Sequence, residues 1–132
     1  MTTASVWVAA SAALLLVGAC ASNDPNNPSA SNPSRQCFFA NSANGFTAVD
    51  TQTVNVRVGA RDVYRLDLMG TCPDINWNHQ IALVSRGSSS ICTGTGATIV
   101  TRGPTGQQRC PVRMVTKLTP EEVEALRPRD RP

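Results

Sequence analysis

Five cysteines constrain this chain more than any other feature. Cys20 closes an apolar N-terminal run, whereas Cys37, Cys72, Cys92 and Cys110 are spread through the remainder. The stretch that follows the Ser/Asn/Pro-rich residues, 37–126, is long enough for one small domain. A domain of that size buries only about 60–65% of the surface its unfolded chain exposes, so covalent reinforcement is expected. Four cysteines supply it as two disulfides, with three pairings open. Sequence does not choose among them. The expectation adopted is Cys37–Cys110 with Cys72–Cys92, which ties the first strand to the last and closes the central segment, contributing roughly 4 and 3 kcal/mol on the loop-entropy argument. A zinc site built on Cys72, His79 and two further thiols is the rival. The spacing Cys72-x6-His79, with no Cys-x2-Cys knuckle, opposes it, so neither a metal nor a cofactor is expected.

The fifth cysteine belongs to a different pattern. Residues 6–19 are apolar and uncharged, and they lead into Val17-Gly18-Ala19-Cys20 and then a Ser/Asn/Pro stretch. Fourteen apolar residues are too few for a transmembrane helix, which takes about 20, and fall within the signal-peptide range of roughly 7–15. The four residues resemble the bacterial lipobox. That resemblance implies removal of residues 1–19, diacylglycerol on the Cys20 sulfur and acylation of its new amine. Ordinary cleaved secretion and an uncleaved anchor are the alternatives. The pattern departs from the usual signal in one respect, since Met1-Thr2-Thr3-Ala4-Ser5 carries no Lys or Arg. Ala21, where inner-membrane lipoproteins carry Asp, implies by the same resemblance transfer to the outer membrane, facing the periplasm. One acyl chain binds a membrane only marginally, at about 0.8 kcal/mol per buried methylene, but three hold firmly. Residues 20–36 then read as the attachment point and a flexible tether, too poor in apolar side chains to order themselves.

Charge excludes one class of partner. Twelve basic against nine acidic residues give a net charge of +3. The arginines at 57, 61, 65, 86, 102, 109 and 113 are scattered rather than gathered, as on the solvated faces of strands. Nucleic acid is not expected as a partner.

Alternation dominates 37–126. Thr53–Val58 sets three valines against three polar residues, and Tyr64, Leu66 and Leu68 continue the pattern after a turn-length break at 59–62, which predicts a β-hairpin. Shorter strands are expected at 37–39, 46–49, 81–84 and 97–101. A last strand at 110–118 has Cys110, Val112, Met114 and Leu118 on one face. Thr119, Pro120 and Glu122 form a capping-box start for one short helix, ended by Arg127-Pro128. The helix is expected to lie across a sheet edge or a barrel end, and residues 127–132 to be disordered. The fold class is all-β: a small antiparallel barrel or sandwich of five to six strands with one short C-terminal helix and two disulfides.

Candidate functional residues cluster in Asp74-Ile75-Asn76-Trp77-Asn78-His79-Gln80. His79 is the only histidine. With Asp74 it offers an acid/base pair for a small envelope hydrolase or transferase. No nucleophile motif accompanies them: the serines near 85–90 lie in a Gly-containing turn, and there is no Gly-x-Ser-x-Gly elbow. No catalytic residue is therefore assigned, and the chain is not expected to be an enzyme. Trp77, an aromatic among Asn, His and Gln, suits stacking on a sugar or anchoring a protein contact, unless it folds back onto the core. Trp77 and His79 are the candidate binding residues.

Cys37-Phe38-Phe39, the run Val63-Tyr64-Arg65-Leu66-Asp67-Leu68 leading to Cys72-Pro73, Ile91-Cys92, and Cys110-Pro111-Val112 followed by Leu118-Thr119-Pro120-Glu121-Glu122 carry a family resemblance. They are similar to a family of small exported proteobacterial proteins known only as a domain of unknown function. The resemblance covers nearly all of 37–126 and rests on structural motifs, so it implies the four-cysteine β domain and no activity. The functional expectation is a lipid-anchored periplasmic module, non-catalytic, that binds an envelope protein or glycan or serves as a structural component.

Overall fold

The computed structural model describes residues 34–132 other than Thr95 and Thr105. Cys20, the lipobox and the tether up to residue 33 lie outside the described residues. The described chain runs β1 (Cys37–Phe39), β2 (Ala43–Ala48), β3 (Thr53–Val58), β4 (Asp62–Leu68), β5 (Ala82–Ser85), β6 (Ser90–Cys92), β7 (Ala97–Gly103), β8 (Gly106–Lys117) and α1 (Pro120–Ala125). Six strands form one antiparallel sheet in the order β2-β3-β4-β8-β7-β5, while β1 and β6 pair as a separate ribbon. The architecture is all-β with one short C-terminal helix and two disulfides, as expected. The described residues form more strands than the expected five or six; β6, three residues long, lies outside the expected strand segments and pairs with β1 as a separate ribbon.

The hairpin of β3 and β4 carries much of the core, with β4 pairing β8 at the centre of the sheet. Val54 faces Leu66 and Val56 faces Tyr64, and all four side chains are buried, as period-two alternation requires. Gly59 makes the turn possible: its φ of 62° lies in the left-handed region that side chains disfavour. From β4 the core extends to Val112 and Val115 of β8, Ile99 of β7, Ile75, and the inward residues of the ribbon, Phe38 and Ile91. Phe38 meets Tyr64 with ring centroids 4.5 Å apart.

In β8 the expected phase is interrupted. Leu66 pairs with Val115 and Asp67 with Met114, but Leu68 pairs with Val112. Arg113 is the extra residue of a β-bulge, and one added residue sends every later side chain to the opposite face. Val115 is therefore buried in place of the expected Met114, which is 43% exposed.

The disulfides correct the expected pairing. They are Cys37–Cys92 and Cys72–Cys110, not Cys37–Cys110 with Cys72–Cys92. β1 neighbours β6 rather than the last strand, and Cys37 stands directly opposite Cys92 in their register. Cys110, within β8, lies under the loop that follows β4, which is drawn onto β8 by Met69 N–H donating to the Pro111 carbonyl at 2.9 Å. The ribbon also begins earlier than expected: Thr93 N–H donates to the Gln36 carbonyl at 2.8 Å, so Gln36 is fixed to the domain.

The C-terminal segment is ordered. Thr119 caps α1 reciprocally with Glu122, at 2.8 and 3.2 Å. Residues 127–132, expected to be disordered, instead fold back over β2 and β3. Pro128–Asp130 is a 3-10 turn, closed by Arg127 Nε donating to Asp130 Oδ2 at 2.6 Å. Asn55, on the face of β3 away from the barrel interior, is fully buried beneath it and donates from Nδ2 to the Asp130 carbonyl at 2.9 Å. Thr47 Oγ1 donates to the Arg131 carbonyl at 2.9 Å. The cover takes this amide out of water and repays it only in part: Nδ2 is paired with the Asp130 carbonyl, whereas Oδ1 has no partner among the described residues, and an unpaired polar group away from water costs about 1–3 kcal/mol.

Tyr64 gives the domain an alkaline limit. Burial pushes its phenol above the usual 10.0, Lys117 nearby opposes the rise and Asp62 adds to it. Because the folded-state value is the higher one, this stability is fully present below about pH 10 and is lost as pH rises through the folded-state value. Thermal melts above pH 10 should show the midpoint falling as phenolate forms, and Tyr64→Phe should flatten that fall. Tyr64 is the only tyrosine, so ultraviolet absorbance follows its ionisation without ambiguity.

Candidate functional site

The segment from Asp74 to Leu83 begins with the only described non-glycine residue at positive φ, Asp74 at 59°. That left-handed conformation turns the chain so that the Asp74 carbonyl accepts from Trp77 N–H at 3.0 Å, Asn78 N–H at 3.2 Å and Asn78 Nδ2 at 2.9 Å. The result is the 3-10 turn Ile75–Trp77. Ile75 is buried in the core and anchors the turn, while Trp77 is 83% exposed. The core therefore does not take up Trp77. An indole held on a short, hydrogen-bonded turn loses little conformational entropy when something stacks on it.

Beyond the turn the chain passes between two grooves. Strands β2 and β5, the two edges of the six-stranded sheet, line one groove of about 810 Å³ together, so the sheet curls into a barrel left open along one seam. Phe46, Val56, Ile81 and Leu83 give this seam apolar walls, and Asn41 and Gln80 are among its polar groups. His79 also lines it, and among the described residues none of the lining side chains is Asp, Glu, Lys or Arg. A second groove of about 700 Å³ lies on the other side of the same segment, between 78–82 and the end of β7, where Arg102 and Gln107 contribute. His79, Gln80, Ile81 and Ala82 border both.

His79 thus lines both grooves, while Trp77, two residues before it, lines neither and stands exposed on the turn that leads into them. Asp74 and His79 are not joined by any hydrogen bond or ion pair among the described residues. The Asp74 carboxylate points elsewhere. Its Oδ2 lies 3.4 Å from where a Cβ on Gly103 would sit, beside the Gln108 side chain at 3.0 Å from the same point. An acid/base pair needs hydrogen-bond reach of about 2.6–3.2 Å, directly or through one water.

Sequence reasoning did not single out Asn41 or Phe46, and included Gln80 only as the end of the 74–80 loop. Each belongs to the seam only because β2 and β5, separated by two other strands in the chain, become the facing edges of one curled sheet. The alternation and the shortness of β5 are compatible with an edge strand, yet neither states which edges face each other.

The fold and the site together define a small disulfide-stapled β domain, an open six-strand barrel with a neutral seam and an exposed tryptophan beside it. The family of unknown function DUF6491 matches residues 1–131, and the chain belongs to that family. No curated protein and no solved structure matches it.

Proposed function

We propose that this protein is a non-catalytic binding module of the cell envelope, anchored through lipid on Cys20 at the periplasmic side of the outer membrane, which holds an envelope protein or glycan against the seam between β2 and β5. The observation that carries the reading is Trp77, an indole 83% exposed on a hydrogen-bonded turn, two residues before His79, which lines the seam. The seam's lining favours an uncharged partner surface. Apolar walls and side-chain amides match sugar rings or a peptide backbone.

Photo-crosslinking in intact cells from a reactive group placed at Gln80 tests this reading. A reproducible protein or glycan adduct is expected. Trp77→Ala should reduce it on the order of thirtyfold, the effect of losing about 2 kcal/mol at an aromatic hot spot. The same change should leave the melting temperature unaltered, since Trp77 is not in the core. Adducts to lipid alone, or an adduct indifferent to Trp77→Ala, would remove the ground for the proposal.

A further inference from the structure

The two disulfides occupy opposite environments. Cys72 is fully buried and Cys110 nearly so, within the core. Cys37, by contrast, is exposed and Cys92 half-buried at the open end of the β1–β6 ribbon. Thiol–disulfide exchange requires a thiolate to reach one sulfur in line with the S–S bond, so access separates the two bridges before any difference in chemistry does. Charge adds to access. Arg35, Gln36, Thr93 and Lys117 border one shallow concavity, and Gln36 and Thr93 are the immediate chain neighbours of Cys37 and Cys92. Lys117 is paired with Asp62 at 3.1 Å, while Arg35 makes no ion pair among the described residues and stands exposed two residues from Cys37. A cation there favours both the incoming thiolate and the one that leaves.

We propose that Cys37–Cys92 is a thiol–disulfide exchange site at which an external dithiol opens the β1–β6 ribbon, while Cys72–Cys110 stays closed and holds the barrel. The thiolate of the dithiol attacks Cys37 Sγ, forming a mixed disulfide as the Cys37–Cys92 bond breaks. Its electron pair leaves on Cys92 Sγ, which takes a proton from solvent. The second thiol of the reagent then gives up its proton and attacks the mixed disulfide, closing the reagent's own ring and releasing the Cys37 thiolate, which is protonated in turn. The protein gains two electrons and two protons, and the dithiol is oxidised.

Opening has a structural consequence because the ribbon has little else to hold it. Its ladder has three residue pairs, and a two-stranded ribbon is marginal in water without support. What remains on the β1 side is the pair of hydrogen bonds between Gln36 and Thr93 and the burial of Phe38, whereas the β6 side keeps the burial of Ile91 and the Gly94–Val115 bridge to β8. Reduction therefore loosens the covering over Tyr64 and frees residues 34–39, the part of the chain that joins the domain to everything N-terminal to it. The proposal rests on the disulfide's exposure and placement and does not depend on the binding reading above.

The test is graded reduction of the intact, oxidised protein with dithiothreitol under native conditions, quenched by an alkylating reagent and mapped by peptide mass spectrometry. Cys37 and Cys92 should be labelled together, about tenfold or more sooner than Cys72 and Cys110. Amide hydrogen exchange should then rise at residues 37–39 and 90–93 and stay low in β4 and β8. The double variant Cys37→Ser/Cys92→Ser, in which Cys72–Cys110 remains, should show the same raised exchange without any reductant. Opening of both bridges in parallel, earlier opening of Cys72–Cys110, or native protection of the ribbon in the double variant would each overturn the proposal.

Discussion

Replacing Cys72 and Cys110 together by alanine is expected to lower the stability of the domain by about 4 kcal/mol and its thermal midpoint by about 20 °C. The bridge closes a sequence separation of 38 residues, and on the loop-entropy argument that constraint on the unfolded chain alone accounts for the figure. The separation of 55 residues in Cys37–Cys92 gives almost the same entropic value. Location distinguishes them. Cys72 and Cys110 fill core volume among residues such as Leu68, Ile75 and Ile99, so their removal also leaves space in a close-packed interior. Chemical denaturation of the two double variants side by side measures the difference. The Cys72/Cys110 variant should be the less stable, and equal midpoints for it and the native protein would sink the view that this small core depends on its covalent staple.

Leu66→Ala should cost about 2–5 kcal/mol. Leu66 is fully buried at the middle of β4, with Val54 opposite on β3 and Val115 opposite on β8. Its side chain is therefore surrounded on both flanks within the sheet, and the curl of the sheet closes the remaining side. Such a site collapses poorly around a cavity, which places the change toward the costly end of the range. Urea unfolding with an unchanged slope and a lower midpoint is the expected signature. Leu83→Ala supplies the contrast, because Leu83 is only half-buried on an edge strand, and its effect should be clearly smaller.

What could be read in the sequence was what neighbouring residues decide between themselves. The β3–β4 hairpin follows from valines at alternate positions and a glycine at the turn, and the start of α1 follows from Thr119, Pro120 and Glu122. Those are contacts within a few residues. The disulfide partners were not legible, because Cys37 meets Cys92 through a ribbon in which β6 offers only Ile91 as an apolar signal. In β8 the alternating pattern itself misled: Met114 and Val115 are both apolar, and which one turns inward is set by a bulge against β4. The C-terminal residues look solvated by composition, rich in Arg and Pro, yet their backbone carbonyls meet Asn55 and Thr47. The candidate site divides in the same way. Trp77 and His79 were visible as unusual residues on a polar loop, whereas the seam beside them exists only through the meeting of two distant strands.

The cover over Asn55 bears on when this protein can reach its native state. β3 is among the first strands to be synthesised, but its buried amide finds its partner only once Asp130 has been added some 75 residues later. A nascent chain lacking that segment would present Asn55 and the neighbouring strand face to water. The face of β3 that carries Asn55 is thus completed only when a segment some 75 residues further along the chain has been made, so the last step of packing on that face follows the synthesis of all eight described strands.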